Sequence, residues 1–111
     1  MTLTTIILLL IANIAFGFML SRSKNGYHKV TFAMHKLTAL AMIVLANIYF
    51  YRLNSPQVLN IIFYIIIMIS FIVLAGTGMM LSLNKSSFKI MSYLHNANFI
   101  IFSVFIILLY V

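Results

Sequence analysis

Aspartate and glutamate are wholly absent from this chain of 111 residues. Hydrolysis by paired carboxylates and acidic calcium or magnesium sites are thereby excluded, since both need side-chain oxygen anions. Cysteine is missing too, which removes disulfides, thiolate metal sites and thiol redox chemistry. Only 6% of the residues are charged, all of them Lys or Arg, for a formal net charge of +7. A soluble domain of this size needs a polar surface that so few charges cannot supply.

What the chain does have is apolar length. Hydrophobic residues make up 65%, and the mean hydropathy is +1.19. Four long apolar stretches occur, at 3–20, about 30–50, 58–81 and about 90–111. About 20 apolar residues in a helix cross the hydrocarbon core of a bilayer. Backbone groups in lipid must be satisfied within the segment, so these Ile-rich runs read as helices and not as strands. The short connections make neighbouring helices antiparallel. The expected fold class is an all-α membrane protein, a four-transmembrane-helix bundle forming one transmembrane domain over residues 1–111. The first stretch has no basic segment before it and ends in Phe-Met-Leu-Ser-Arg instead of a small-residue cleavage site, so it is expected to be a retained span.

Charge sets an expected orientation. Arg22, Lys24, Lys29 and Lys36 lie in or beside the first loop, Lys85 and Lys89 in or beside the third, and Arg52 alone in the second. Six against one places loops one and three on the cytoplasmic side and both termini outside. A basic rim of this kind serves topology and anionic headgroups; nucleic acid is not an expected partner, and the lipid bilayer is.

The strongest internal pattern is a repeat. Gly17, Met19, Leu20, Ser21 and Lys24 recur as Gly78, Met80, Leu81, Ser82 and Lys85 at an offset of 61. After a one-residue gap, Lys29 and His35 recur as Lys89 and His95 at an offset of 60. A Gly, two Lys and a His in one order point to two related hairpins, about 1–53 and about 57–111. Both hairpins run the same way, so they are parallel repeats about an axis along the membrane normal. Functional groups in such a pseudo-two-fold bundle are expected between facing helices.

The repeat makes His35 and His95 equivalent. Each follows a lysine by six residues, which puts it roughly 9 Å deeper than that lysine. Ionisable residues inside a membrane point to function. With no carboxylate or thiolate in the chain, two imidazoles suit a metal centre that brings its own remaining ligands. Haem b is one, because the porphyrin supplies four nitrogens and two histidines complete the axial positions. Its anionic propionates would meet only cations, with Lys29 and Lys89, and also Lys24, Lys36 and Lys85, as candidates. Gly17 and Gly78 fall at about the histidines' depth, where a missing side chain would let a flat macrocycle approach the backbone; ordinary close helix packing is the plainer use of such glycines.

On these residues the chain resembles the membrane b-type cytochromes, four-helix bundles that hold haem between histidines of different helices. The resemblance implies His35 and His95 as axial ligands of one haem between the second and fourth helices, near the cytoplasmic side. It implies an electron-transfer protein more than a self-contained enzyme, exchanging electrons with a quinone or a membrane redox partner. The outer half has no histidine. One haem on one side cannot bridge a core about 30 Å thick, so a partner, a homodimer or a larger complex would complete the circuit.

Other readings stay open. His28 precedes His35 by seven residues and so lies on nearly the same helical face, nearer water. It is expected as an interfacial residue near headgroups or propionates, with ligation in place of His35 or proton relay as the alternatives. A zinc site of His28, His35 and His95 would need the helix to bend. The histidines can also serve only as hydrogen-bonding packing residues, through Asn96, Asn98, Thr31 or Thr38; the chain is then a non-redox scaffold or accessory subunit. A small four-helix transporter of the multidrug-resistance type is disfavoured because that family uses a membrane carboxylate. Asn13, Asn47, Asn60 and Ser103 are placed towards the outer half, and the asparagines are expected to bond between helices. Pro56 marks the start of the third helix.

Overall fold

A computed structural model describes residues 3–21, 29–82 and 88–111; Arg22, Lys24, His28 and Lys85 lie outside these. Four helices follow in order: α1 (Leu3–Ser21), α2 (Lys29–Tyr51), α3 (Val58–Ser82) and α4 (Phe88–Tyr110). Each begins and ends within two residues of an expected apolar stretch. All four are long and apolar enough to cross a membrane, and among the described residues no strand occurs. The fold class is therefore the all-α, multi-pass type that the composition implies.

Physical punctuation sets the boundaries at the second connection. The N–H of Arg52 still reaches back to the Ile48 and Tyr49 carbonyls (both 3.1 Å), and the N–H of Leu53 reaches Phe50 (3.2 Å). These are the tightened last bonds of α2. Pro56 follows, and Gln57 serves as N-cap of α3. Its carbonyl accepts the first helical bond from Ile61 (3.2 Å), and its N–H donates to Asn60 Oδ1 (3.0 Å). That backward reach from the third helical residue is one half of a capping box.

The chain divides into two compact units, Met1–Leu53 and Asn54–Val111. In the first α1 packs along α2, and in the second α3 packs along α4. Four pairs of buried residues stand at the offsets read from the sequence. At 61 residues, Ile6 pairs with Ile67 and Leu20 with Leu81, all buried. At 60 residues, Met42 pairs with Phe102 and Ala46 with Ile106, again all buried. In the second hairpin aromatic rings join the helices. Phe63 meets Phe105 at 5.6 Å between centroids, and Phe71 meets Phe102 at 6.3 Å; such pairs contribute about 0.5–1.5 kcal/mol each beyond their area.

Lipid tails are as apolar as leucine, so helices in a bilayer are held by close packing and by hydrogen bonds between them. Among the described residues the polar side chains taken out of contact with the surroundings are few: Asn13, Thr38, Ser70 and Thr77 are buried. Among the described residues no buried side-chain nitrogen or oxygen is left without a hydrogen-bond partner. Two of the four, Asn13 and Thr77, lead directly to the histidines.

Candidate functional site: a histidine seated on a glycine in each hairpin

Gly17 of α1 faces His35 of α2. A Cβ added at Gly17 would lie 3.1 Å from His35 Cε1, 3.5 Å from Nδ1 and 3.9 Å from Nε2. The second hairpin repeats the arrangement, with a Cβ on Gly78 falling 3.3 Å from His95 Cε1 and 3.8 Å from its Nδ1. The space left by each missing side chain is thus filled by an imidazole of the same hairpin. Sequence reasoning gave that space to a flat cofactor or to ordinary helix packing; its occupant is the ring itself. Both histidines are half-buried.

The glycine has a second effect in the first hairpin. In an α-helix a side chain leans over the turn before it, so the residue at i+4 shields the carbonyl of residue i. Gly17 stands four residues after Asn13 and leaves the Asn13 carbonyl open. His35 Nδ1 lies 3.2 Å from that oxygen. A carbonyl can only accept, so His35 carries its proton on Nδ1 and the lone pair on Nε2. The Asn13 side chain closes the arrangement. Its Nδ2 donates to the His35 carbonyl (2.9 Å) and to Thr38 Oγ1 (2.7 Å), while Thr38 Oγ1 donates to the same His35 carbonyl (2.9 Å).

In the second hairpin the position equivalent to Asn13 is Leu74, and a hydroxyl intervenes. Thr77 Oγ1 turns its single proton to the carbonyls of Val73 (2.8 Å) and Leu74 (3.2 Å). Its oxygen also lies 2.8 Å from His95 Nδ1. With the hydroxyl proton on those carbonyls, the oxygen accepts from a protonated His95 Nδ1, which matches the arrangement at His35. The hydroxyl relays to the Leu74 carbonyl what His35 gives to the Asn13 carbonyl directly.

The remaining residues singled out from the sequence are placed as follows. Lys29 and Lys89 are exposed. Six residues is roughly 120° of helix rotation away from His35 and His95, so these lysines lie to the side of the imidazole faces. His28 is outside the described residues. Thr38 does join the histidine, though through the His35 main chain, whereas Asn98 donates to the Leu94 carbonyl of its own helix (3.2 Å). Asn13 bridges two helices as expected of an asparagine in a span, but it is level with His35 and not in the outer half. Asn47 and Ser103 donate to carbonyls one turn back in their own helices, Ile43 and Phe99 (2.8 Å each). Thr77 was missed, though a hydroxyl beside the repeated glycine of an otherwise apolar turn was the signal for it.

No protein family, no curated protein and no solved structure matches this chain. Its functional reading rests on the histidines and on what holds them.

Proposed function

We propose that this chain is a membrane-embedded b-type cytochrome, in which His35 and His95 would hold a single haem. The observation that carries this reading is that each imidazole brings its Nδ1 within hydrogen-bond distance of an oxygen of its own hairpin, 3.2 Å from the Asn13 carbonyl and 2.8 Å from Thr77 Oγ1. Histidines that bind metal nearly always donate the other ring N–H to a carbonyl, a carboxylate or a similar acceptor, which orients the ring and puts the lone pair on the ligating nitrogen. The donor set fits the group: two neutral imidazoles, with no carboxylate or thiolate side chain anywhere in the sequence, suit an iron that brings four porphyrin nitrogens. When bound, haem supplies one-electron chemistry. The chain's own residues do the rest: the Asn13 carbonyl and the Thr77 hydroxyl hold the two Nδ1 protons, and Gly17 and Gly78 give the rings their seats. Electrons would pass to or from a quinone or a membrane redox partner. In the orientation proposed here the basic loops face the cytoplasm. The absence of cysteine makes any introduced cysteine, for example at Ser55 or Ser86, a unique label that tests it.

A second reading has its own support. Each ring is packed and hydrogen-bonded inside one hairpin, which is all that a non-redox scaffold or accessory subunit would require. One measurement separates the two. Protein purified from haem-replete cells should be red, with a sharp Soret band, visible bands that split on dithionite reduction and one haem per chain. His35→Ala and His95→Ala should each abolish or alter this spectrum, while His28→Ala largely spares it. A colourless protein that takes up no added haem rules out the cytochrome and leaves the scaffold.

A further inference from the structure

The first hairpin carries a cationic pair that its repeat lacks. Lys29 and Lys36 are both exposed, and seven residues apart they lie within roughly 20° of one face of α2. Lys36 starts two turns deeper than Lys29, where an ammonium in hydrocarbon is costly. Its side chain runs back toward the Lys29 end, with Nζ 4.3 Å from the centroid of the Phe32 ring. This is the snorkelling direction for a long side chain, and a ring face under the ammonium holds it there. The two positive charges are thereby drawn toward one level of the helix.

Nothing in the chain can neutralise them, because it has no Asp or Glu. The counter-anion must come from outside. Beyond Lys36 the same face continues as an exposed apolar strip, with Ala33 beside it and then Leu40 (52% exposed) and Val44 (46% exposed). A ligand that meets both parts has an anionic head and a long hydrocarbon tail. We infer that Lys29 and Lys36 form a binding site for one anionic phospholipid, the phosphate between the two ammonium groups and an acyl chain along Leu40 and Val44. The second hairpin serves as an internal control. Its strip is equally open, with Ile100 at 64% and Val104 at 48%. Its head positions, however, are Lys89, Ser92 and Asn96, which leave one charge and no ring in place of Lys29, Phe32 and Lys36.

The test is native mass spectrometry of the full chain released from micelles doped with equal amounts of phosphatidylglycerol and phosphatidylcholine of the same acyl chains. The wild type should retain one phosphatidylglycerol in preference to phosphatidylcholine. Lys29→Gln and Lys36→Gln should each cut that preference about fivefold, the worth of about one basic residue at an anionic surface, and Lys36→Arg should keep it. Both lysines are exposed, so circular dichroism should show unchanged helix in every variant. Ser92→Phe with Asn96→Lys should raise the bound phosphatidylglycerol from one to two. Equal retention of the two lipids, a preference untouched by the glutamine variants, or a count that stays at one in the grafted variant would each overturn the proposal. So would displacement of the lipid by millimolar inorganic phosphate, which would make the site one for a free anion. None of these results depends on whether haem is bound.

Discussion

The two hairpins make the same contact and secure it differently. In both, a glycine of the first helix receives the imidazole of the second, and in both Nδ1 meets an oxygen of that first helix. In the first hairpin the acceptor is a main-chain carbonyl, that of Asn13. In the second it is a side-chain hydroxyl, that of Thr77, which in turn bonds the Leu74 carbonyl. The seat and the oxygen at Nδ1 recur while the kind of oxygen does not. What the two hairpins hold in common is therefore the placement of the imidazole, and a residue type serves only as one way of reaching it. The difference also separates two roles. Asn13 stabilises the first hairpin through its side chain and holds the proton through its backbone, whereas Thr77 does the latter through its side chain alone.

The largest test of this comparison acts on the seats. Gly17→Leu should expel the His35 ring from its place, at the 1–3 kcal/mol typical of overpacking or more. Gly17→Ala places a carbon 3.1 Å from Cε1, a contact that forces the ring to give by a few tenths of an ångström. Gly78→Ala meets its ring at 3.3 Å and should cost less. Reversible unfolding in mixed micelles should rank the three in that order. If Gly78→Ala were the more damaging alanine, the two seats would not be equivalent. If haem is bound, the same ranking should appear in the loss of Soret absorbance, since ring position governs ligation.

The next test acts on the acceptors, and its effects are smaller because hydrogen bonds between membrane helices average about 0.6 kcal/mol and reach about 1.7. Asn13→Leu removes two donations, to the His35 carbonyl and to Thr38, and should destabilise by about 1 kcal/mol. It leaves the Asn13 carbonyl in place, so the nitrogen-15 spectrum of His35 should still report a protonated Nδ1. Thr77→Val is nearly isosteric and should cost somewhat less stability, yet it removes the acceptor of His95, whose ring spectrum should change. Stability and tautomer thus respond in opposite order in the two hairpins. A shift of the His35 tautomer in Asn13→Leu would place its control in the asparagine side chain and undo the comparison.

Much of the fold was legible because the bilayer leaves little choice. Four runs of the right length with no acidic residue admit one class of structure, and the offsets of 61 and 60 that align the repeat also align four pairs of buried residues. The site was legible in part. Counting from the loop lysines puts Gly17 level with His35 and Gly78 with His95, but depth says nothing about direction. The rotation of each helix decided that the rings turn into their own glycines and that Lys29 and Lys89 lie to one side. Asn13 was misplaced for a related reason, since its distance from the ends of α1 carries no information about which carbonyl Gly17 uncovers. Thr77 went unremarked because its counterpart is Phe16, and a search for repeated residues discards the one that differs. In the second hairpin that residue is what completes the repeated contact.

The smallest expected effect is the one that isolates the seats from glycine in general. Gly76 lies two residues before Gly78 in the same apolar helix, and a Cβ there would meet nothing within 4 Å. Its counterpart at the offset of 61 is Ala15, so the first hairpin already holds the side chain that Gly76→Ala would introduce. No ring or backbone must move to admit it, and the lost conformational freedom of glycine favours alanine in a helix by up to about 1 kcal/mol. Gly76→Ala should therefore be neutral or slightly stabilising in the same unfolding measurement in which Gly78→Ala is destabilising. Equal damage from both would mean that α3 needs glycine along its whole face for close helix packing, with no special relation to His95. A clear split, two residues apart on one helix, assigns the requirement at Gly78 to the imidazole it faces.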